Sequence, residues 1–187
     1  MTDPWSVPSQ PPDRKPDAVE TAWPQFPAYG ESTAGPPGQV RPTGKSILLM
    51  VVTLGIYAYV YNYSVHREMK DHSGRGIGGG IALLLTFIAS IAMPFITSAE
   101  VGSQYARRGE PEPVRGWTGL WAVLLPIAGY ILALVGAFAG APASEGGGNT
   151  PLLVVLVAVG VALFITGPVI WFVKTNGALN RYWQSQG

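Results

Sequence analysis

Residues Ser46 to Val65 read Ser-Ile-Leu-Leu-Met-Val-Val-Thr-Leu-Gly-Ile-Tyr-Ala-Tyr-Val-Tyr-Asn-Tyr-Ser-Val. No acid or base interrupts the run. At 1.5 Å per residue its length matches a hydrocarbon core of about 30 Å, so the stretch predicts a membrane-crossing helix. Three further apolar runs follow, at about 79–97, 117–140 and 151–173. Together the four predict an all-α, four-helix transmembrane bundle over residues 45–187.

Composition agrees. Hydrophobic residues make up 48% and charged residues 12% of the 187 positions, against about 25% charged in a soluble domain. A net charge of +1, with no basic run interleaved with aromatics, argues against a nucleic-acid partner. The absence of cysteine excludes disulfides, thiolate catalysis and cysteine-based zinc sites. The first apolar run starts too late for a cleavable signal peptide, and Arg41 and Lys45 before it suit a retained signal-anchor.

Upstream, residues 1–44 carry ten of the 17 prolines. Proline removes backbone donors and blocks helix interiors, so this head is expected to be a disordered, polyproline II-like tail. Trp5, Trp23, Phe26 and Tyr29 punctuate it. Pro8-Ser9-Gln10-Pro11 and Pro24-Gln25-Phe26-Pro27 fit the Pro-x-x-Pro pattern read by aromatic-lined grooves. Two readings stand, a flexible tether or a docking peptide for a partner.

Within the first run, Thr53, Tyr57, Tyr61 and Ser64 share one helical stripe, with Asn62 beside it. The tyrosines fit an interfacial aromatic belt, or else the stripe hydrogen-bonds across a helix contact. Residues 66–80 read as the first loop. His66, Glu68, Asp71 and His72 lie there, but their spacing lacks the two-histidine, one-turn arrangement of a metal site, and a solvated loop is expected. Gly74-Arg75-Gly76-Ile77-Gly78-Gly79 matches G-x-G-x-x-G literally. No strand-turn-helix unit surrounds it, so it reads as a flexible helix entry and not as a dinucleotide site.

Pro94 is expected to kink the second span or free a carbonyl within the bundle. In the third span Gly129, Ala133 and Ala137 are spaced by four, and Gly136-x-x-x-Gly140 follows. Small residues on one face let helix backbones approach, either within the chain or in a homo-oligomer. Gly167-Pro168 interrupts the fourth span. Beyond it Lys174, Ala178 and Arg181 fall on one face, and Phe172, Leu179 and Tyr182 on another, as in an amphipathic end lying in the headgroup layer. Asn176, Asn180 and Trp183 form a third face, available to the first loop or to a partner.

Lys and Arg near the spans set orientation. With both ends cytoplasmic, seven of these residues are inside (Arg41, Lys45, Arg107, Arg108, Arg115, Lys174, Arg181) and three outside (Arg67, Lys70, Arg75). If the Tyr-rich run re-enters instead of crossing, the basic first loop joins the inner side. The four spans hold no Asp, Glu, Lys, Arg or His. That counts against proton-coupled transport, and no nucleophile-base-orienter constellation indicates an enzyme.

Two stretches carry a family resemblance. Thr53-Leu54-Gly55-Ile56-Tyr57, preceded by Arg41, resembles the opening of the domain-of-unknown-function 4234 family. Leu179-Asn180-Arg181-Tyr182-Trp183 is similar to that family's closing Leu-Asn-x-x-Trp signature. The resemblance covers Arg41 to Trp183 and implies a small bacterial integral membrane protein without an established activity. It brings no catalytic residues or cofactors, and it draws emphasis to Tyr57–Asn62 and Asn180–Trp183. The expectation is therefore a multi-pass protein of the bacterial cytoplasmic membrane with both termini cytoplasmic. It is read as a non-enzymatic scaffold or accessory subunit whose tail recruits a soluble partner. The alternative is a small oligomeric channel or transporter component. The expected contact residues are Thr53, Tyr57, Tyr61, Asn62, Gly129, Ala133, Gly136, Gly140, Asn176, Asn180, Arg181 and Trp183.

Overall fold

Leu54 and Gly55 divide the first apolar run. In a computed structural model, which describes residues 35–140 and 150–187, α1 spans Thr43–Val52 and α2 spans Ile56–Ser73. The end of α1 is a Schellman turn: Gly55 N–H donates to the Met50 carbonyl at 2.7 Å and Leu54 N–H to Val51 at 3.1 Å. Leu54 and Gly55 both adopt positive φ, 51° and 90°, and the glycine does so without steric penalty. The Thr53 hydroxyl ties the two helices, donating to the Leu49 carbonyl and accepting the Tyr57 N–H.

From this turn α2 runs back alongside α1. Arg41, just before α1, pairs with Glu68 near the end of α2, and Gly35 N–H donates to the His72 carbonyl at 2.8 Å. The expected first span is thus a helical hairpin with both ends together and Leu54, 94% exposed, at its tip.

The second apolar run is divided in the same way. α3 (Gly78–Ile88) and α4 (Met93–Arg107) meet at a turn over 89–92. Ile77 N–H, at the entry to α3, donates to Glu100 in α4 at 2.7 Å, so this hairpin is also closed at its base. Pro94 lies in the first turn of α4, where proline is tolerated. Its carbonyl accepts the Trp171 indole N–H at 3.1 Å.

A short 3₁₀ helix, Gly116–Leu120, leads into α5 (Trp121–Gly140), and α6 spans Thr150–Gln184. Every regular element among the described residues is helical. Two stretches, Gly116–Phe138 and Pro151–Gln184, are long and apolar enough to cross a membrane. Only 11% of each apolar window is buried, unlike the core helix of a soluble protein. α6 runs through Pro168 without ending, so the expected interruption there does not form, and the two-faced end past it stays in the same helix, with Lys174 and Arg181 exposed and Phe172, Leu179 and Tyr182 buried. Ala178 and Leu179 are buried in the continuation of this helix.

Both hairpin tips stop at the same level of α6. Ser90 and Ile91 share a cavity of about 430 Å³ with Pro126, Tyr130 and Phe164. Met50 and Val51 share a groove of about 400 Å³ with Phe164 and Ile165. Beyond that level α5 and α6 pack on each other alone among the described residues. Their backbones touch, since a Cβ on Gly129 would lie 2.3 Å from the Gly160 carbonyl and one on Gly160 2.5 Å from that of Gly129.

The remaining differences from the four-span expectation are local. Residues 66–73 are helical, not a loop, and residues 35–42 of the expected tail belong to the fold. Residues 1–34, where the rest of the expected tail falls, and residues 141–149 lie outside the described residues. At the other end of the molecule the base gathers Val65, Met69, Val101, Leu179, Tyr182 and Trp183 into one core.

Candidate functional site

The base is where chain segments far apart in sequence converge, and a strap formed by residues 35–42 crosses it. Arg41 is its centre. Asn180, on α6, accepts the Arg41 N–H at 2.9 Å and donates to the Arg41 carbonyl at 2.6 Å. Asn176, one turn earlier, donates to the same carbonyl at 3.0 Å and to the Thr43 hydroxyl at 2.9 Å. Its own carbonyl oxygen accepts the Tyr61 hydroxyl at 3.0 Å. Spacing of four places both amides on one helix face, and that face holds the strap by its backbone.

The Arg41 side chain is anchored as firmly. Its two terminal nitrogens form a fork on the Glu68 carboxylate, which also accepts the Gln39 N–H at 3.0 Å. These hydrogen bonds hold the Arg41 pKa above the ordinary arginine value, against the opposing effect of burial. Further along the strap, Gly38 lies over Trp183. A Cβ there would be 2.5 Å from the indole ring, so only glycine fits. The Trp183 ring is 2% exposed and meets His72 edge-on at 5.1 Å.

The expected loop groups are each taken by a different partner. His72 donates from Nδ1 to the Gly35 carbonyl at 2.8 Å, and its Nε2 lies 3.2 Å from the Tyr182 hydroxyl. His66 is fully buried on α2, with Nδ1 2.7 Å from Glu100 and Nε2 3.0 Å from the Thr97 hydroxyl. Glu68 goes to Arg41, and Asp71 pairs with Arg67 at 3.5 Å. Among the described residues no three potential ligands converge on a metal position. The G-x-G-x-x-G run forms the turn after α2 and the first residues of α3, and its Gly76 and Ile77 lie against the Glu100 carboxylate.

The other expected contacts are distributed as follows. Thr53 ties the α1–α2 turn, and Tyr57 is half-buried with its ring 6.5 Å from that of Tyr61. Asn62 donates to the Thr86 hydroxyl of α3 at 3.1 Å. Tyr61 and Asn62 therefore bond across helix contacts, the second of the two readings of the stripe. Gly129, Ala133 and Gly136 face α6. Gly140 ends α5, its surroundings outside the described residues. Arg181 lies beside Tyr105, whose hydroxyl donates to the Ala178 carbonyl at 2.6 Å. Burial raises the pKa values of both Tyr105 and Tyr182.

Sequence reasoning missed the strap, the Arg41–Glu68 fork and the His66–Glu100 contact. A signal existed for the first. Gly35-Pro36-Pro37-Gly38 brackets a stiff dipeptide between two residues without side chains, a pattern suited to close passage over a surface.

In comparisons with known proteins, the model of the family described as Domain of unknown function (DUF4234) matches residues 41–107. The match begins at the strap arginine and ends with α4, so it comprises both hairpins; the Leu179–Trp183 stretch lies outside it. No curated protein and no solved structure matches the chain.

Proposed function

We propose, for a chain whose residues 41–107 form a DUF4234 domain, a non-enzymatic scaffold or accessory subunit of the bacterial cytoplasmic membrane. Its tail would recruit a soluble partner at the cytoplasmic face. In this reading α5 and α6 cross the bilayer and the two hairpins enter only half of it. α1 and α3 hold 10 and 11 residues, about 15 Å each at 1.5 Å per residue, or half of a core of about 30 Å. At the first turn Thr53, Leu54, Gly55 and Ile56 all donate their N–H groups within the hairpin, and at the second Ala89, Ala92 and Met93 do, which lowers the cost of placing these turns in a bilayer.

Charge supports one orientation. Of the 12 Lys and Arg, all but Arg14 and Lys15 lie at or after residue 41. With both hairpins re-entrant, those ten fall on the base side, and residues 141–149 include no Lys or Arg. Ten against none replaces the seven against three expected from four spans; both counts favour cytoplasmic termini, and the re-entrant one brings Arg67, Lys70 and Arg75 to the same side.

The observation that carries the scaffold reading is the strap. Residues 35–42 are fastened to the base by Asn176, Asn180 and Glu68, so the 34 residues before them start from a fixed point on the charged face. A firm anchor followed by a Pro-x-x-Pro chain suits a tether that presents peptide to a partner. The channel reading has less support, because Gly129, Ala133 and Gly136, its expected oligomer face, are engaged with α6. The test is to purify the full chain with its partner from the native membrane, then add a peptide of residues 1–34. Displacement of the partner is expected, with the chain itself still integrated. Retention of the partner at saturating peptide, or retention after deletion of 1–34, contradicts the reading.

A further inference from the structure

We infer that the start of α5 and the cytoplasmic end of the α6 span form a binding site for a single anionic phospholipid. The inference rests on the membrane reading above. Two cavities of about 230 Å³ each adjoin there and share Trp117 and Trp121. The first has Arg115, Lys174 and Glu112 in its lining. The second is apolar, bounded by Leu120, Leu124 and Leu125 along the outward face of α5.

This sequence of chemistry along one helix is that of a lipid. A phosphodiester needs cations at headgroup depth, and its chains need an apolar groove that continues toward the bilayer centre. The Glu112 carboxylate engages Arg115 at Nε, 3.3 Å away. Among the described residues no carboxylate lies within 4 Å of Lys174, whose ammonium sits 5.8 Å from the Trp121 ring centroid. Two cations and one carboxylate leave one net positive charge, the complement of one phosphodiester. Trp121 limits where the ammonium can go and forms one wall of the chain groove, so headgroup and chain are read by the same residue. A free phosphate would use only the polar half of the site.

The test is native mass spectrometry of the full-length protein, purified in mild detergent and offered phosphatidylglycerol and phosphatidylcholine in equal amounts. The wild type is expected to retain one phosphatidylglycerol in preference to phosphatidylcholine, and soluble glycerol phosphate should not displace it. Lys174→Glu should weaken retention by at least about fivefold, the scale of one basic residue at a charged membrane surface. Trp121→Ala should weaken retention of both lipids, and Glu112→Gln should strengthen that of phosphatidylglycerol. Lys45→Glu, an equal charge change on α1, should leave retention unaltered. Equal loss in Lys45→Glu and Lys174→Glu, displacement by glycerol phosphate, or no phosphatidylglycerol preference in the wild type overturns the site. Flotation with liposomes separates the two levels. A chain that floats without lipid preference defeats the site alone, and a chain that does not float defeats the membrane reading and the site with it.

Discussion

Asn180 holds Arg41 by both of its backbone polar groups, at 2.9 Å from the amide and 2.6 Å from the carbonyl, across 139 positions of sequence. The strap therefore depends on a side chain near the other end of the molecule. Asn180→Ala leaves a donor and an acceptor of Arg41 without this partner, and removal of such a bond between part-buried groups costs about 1–3 kcal/mol. Amide hydrogen exchange at Arg41 should accelerate sharply in this variant and in Asn176→Ala, while amides in α5 keep their wild-type protection.

Glu100 joins three elements, accepting Ile77 N–H and contacting His66 Nδ1 at 2.7 Å each. Glu100→Ala should lower the thermal midpoint in detergent more than Asp71→Ala, since Asp71 makes an exposed i, i+4 pair worth only about 0.3–0.5 kcal/mol. Glu100→Gln retains an acceptor and should fall between them.

The α5–α6 contact admits no side chain at Gly129 or Gly160. Gly129→Leu and Gly160→Leu must separate the two helices, with a destabilisation of at least about 1–3 kcal/mol. Light scattering of the detergent complex should report the same copy number as wild type wherever the variants fold. A changed copy number with unchanged stability would instead assign these glycines to an oligomer interface.

At the base, burial raises the pKa values of Tyr105 and Tyr182 above the ordinary 10.0. The unfolded chain therefore loses these protons first as pH rises. Their contribution to stability is fully present below about pH 10 and is lost as pH climbs through the folded-state values. Alkaline unfolding followed by near-ultraviolet circular dichroism should begin above pH 10, and the double variant Tyr105→Phe, Tyr182→Phe should show a shallower decline.

Much of this architecture can be read in the sequence, and the rest fails for physical reasons. Helicity, the long apolar α5 and α6, and the pairing face of Gly129, Ala133 and Gly136 all follow from periodicity and residue size. The hairpins do not. Residues 46–65 have the length and polarity of a span, and hydropathy cannot distinguish 20 apolar residues that cross from 20 that fold back. The discriminating feature was Leu54-Gly55 with Thr53, a helix stop and a restart within three residues, which a hydropathy window averages away. The base was opaque for another reason. Arg41, Glu68, Asn176 and Asn180 are unremarkable in their local contexts and acquire meaning only when the hairpin turns bring their segments together. His66 likewise reads as a loop residue until α2 is seen to continue to Ser73.

The proposed re-entrant path of the first apolar run is tested most directly from its far end. Because the chain has no cysteine, single substitutions give a clean background for a membrane-impermeant maleimide applied to spheroplasts. Arg75→Cys, in the turn between the two hairpins, should label only after permeabilisation, as should Gln186→Cys, whereas Ser144→Cys should label in intact spheroplasts. Labelling of Arg75→Cys from outside, with Gln186→Cys still protected, would show that residues 46–65 cross the membrane and would contradict the account.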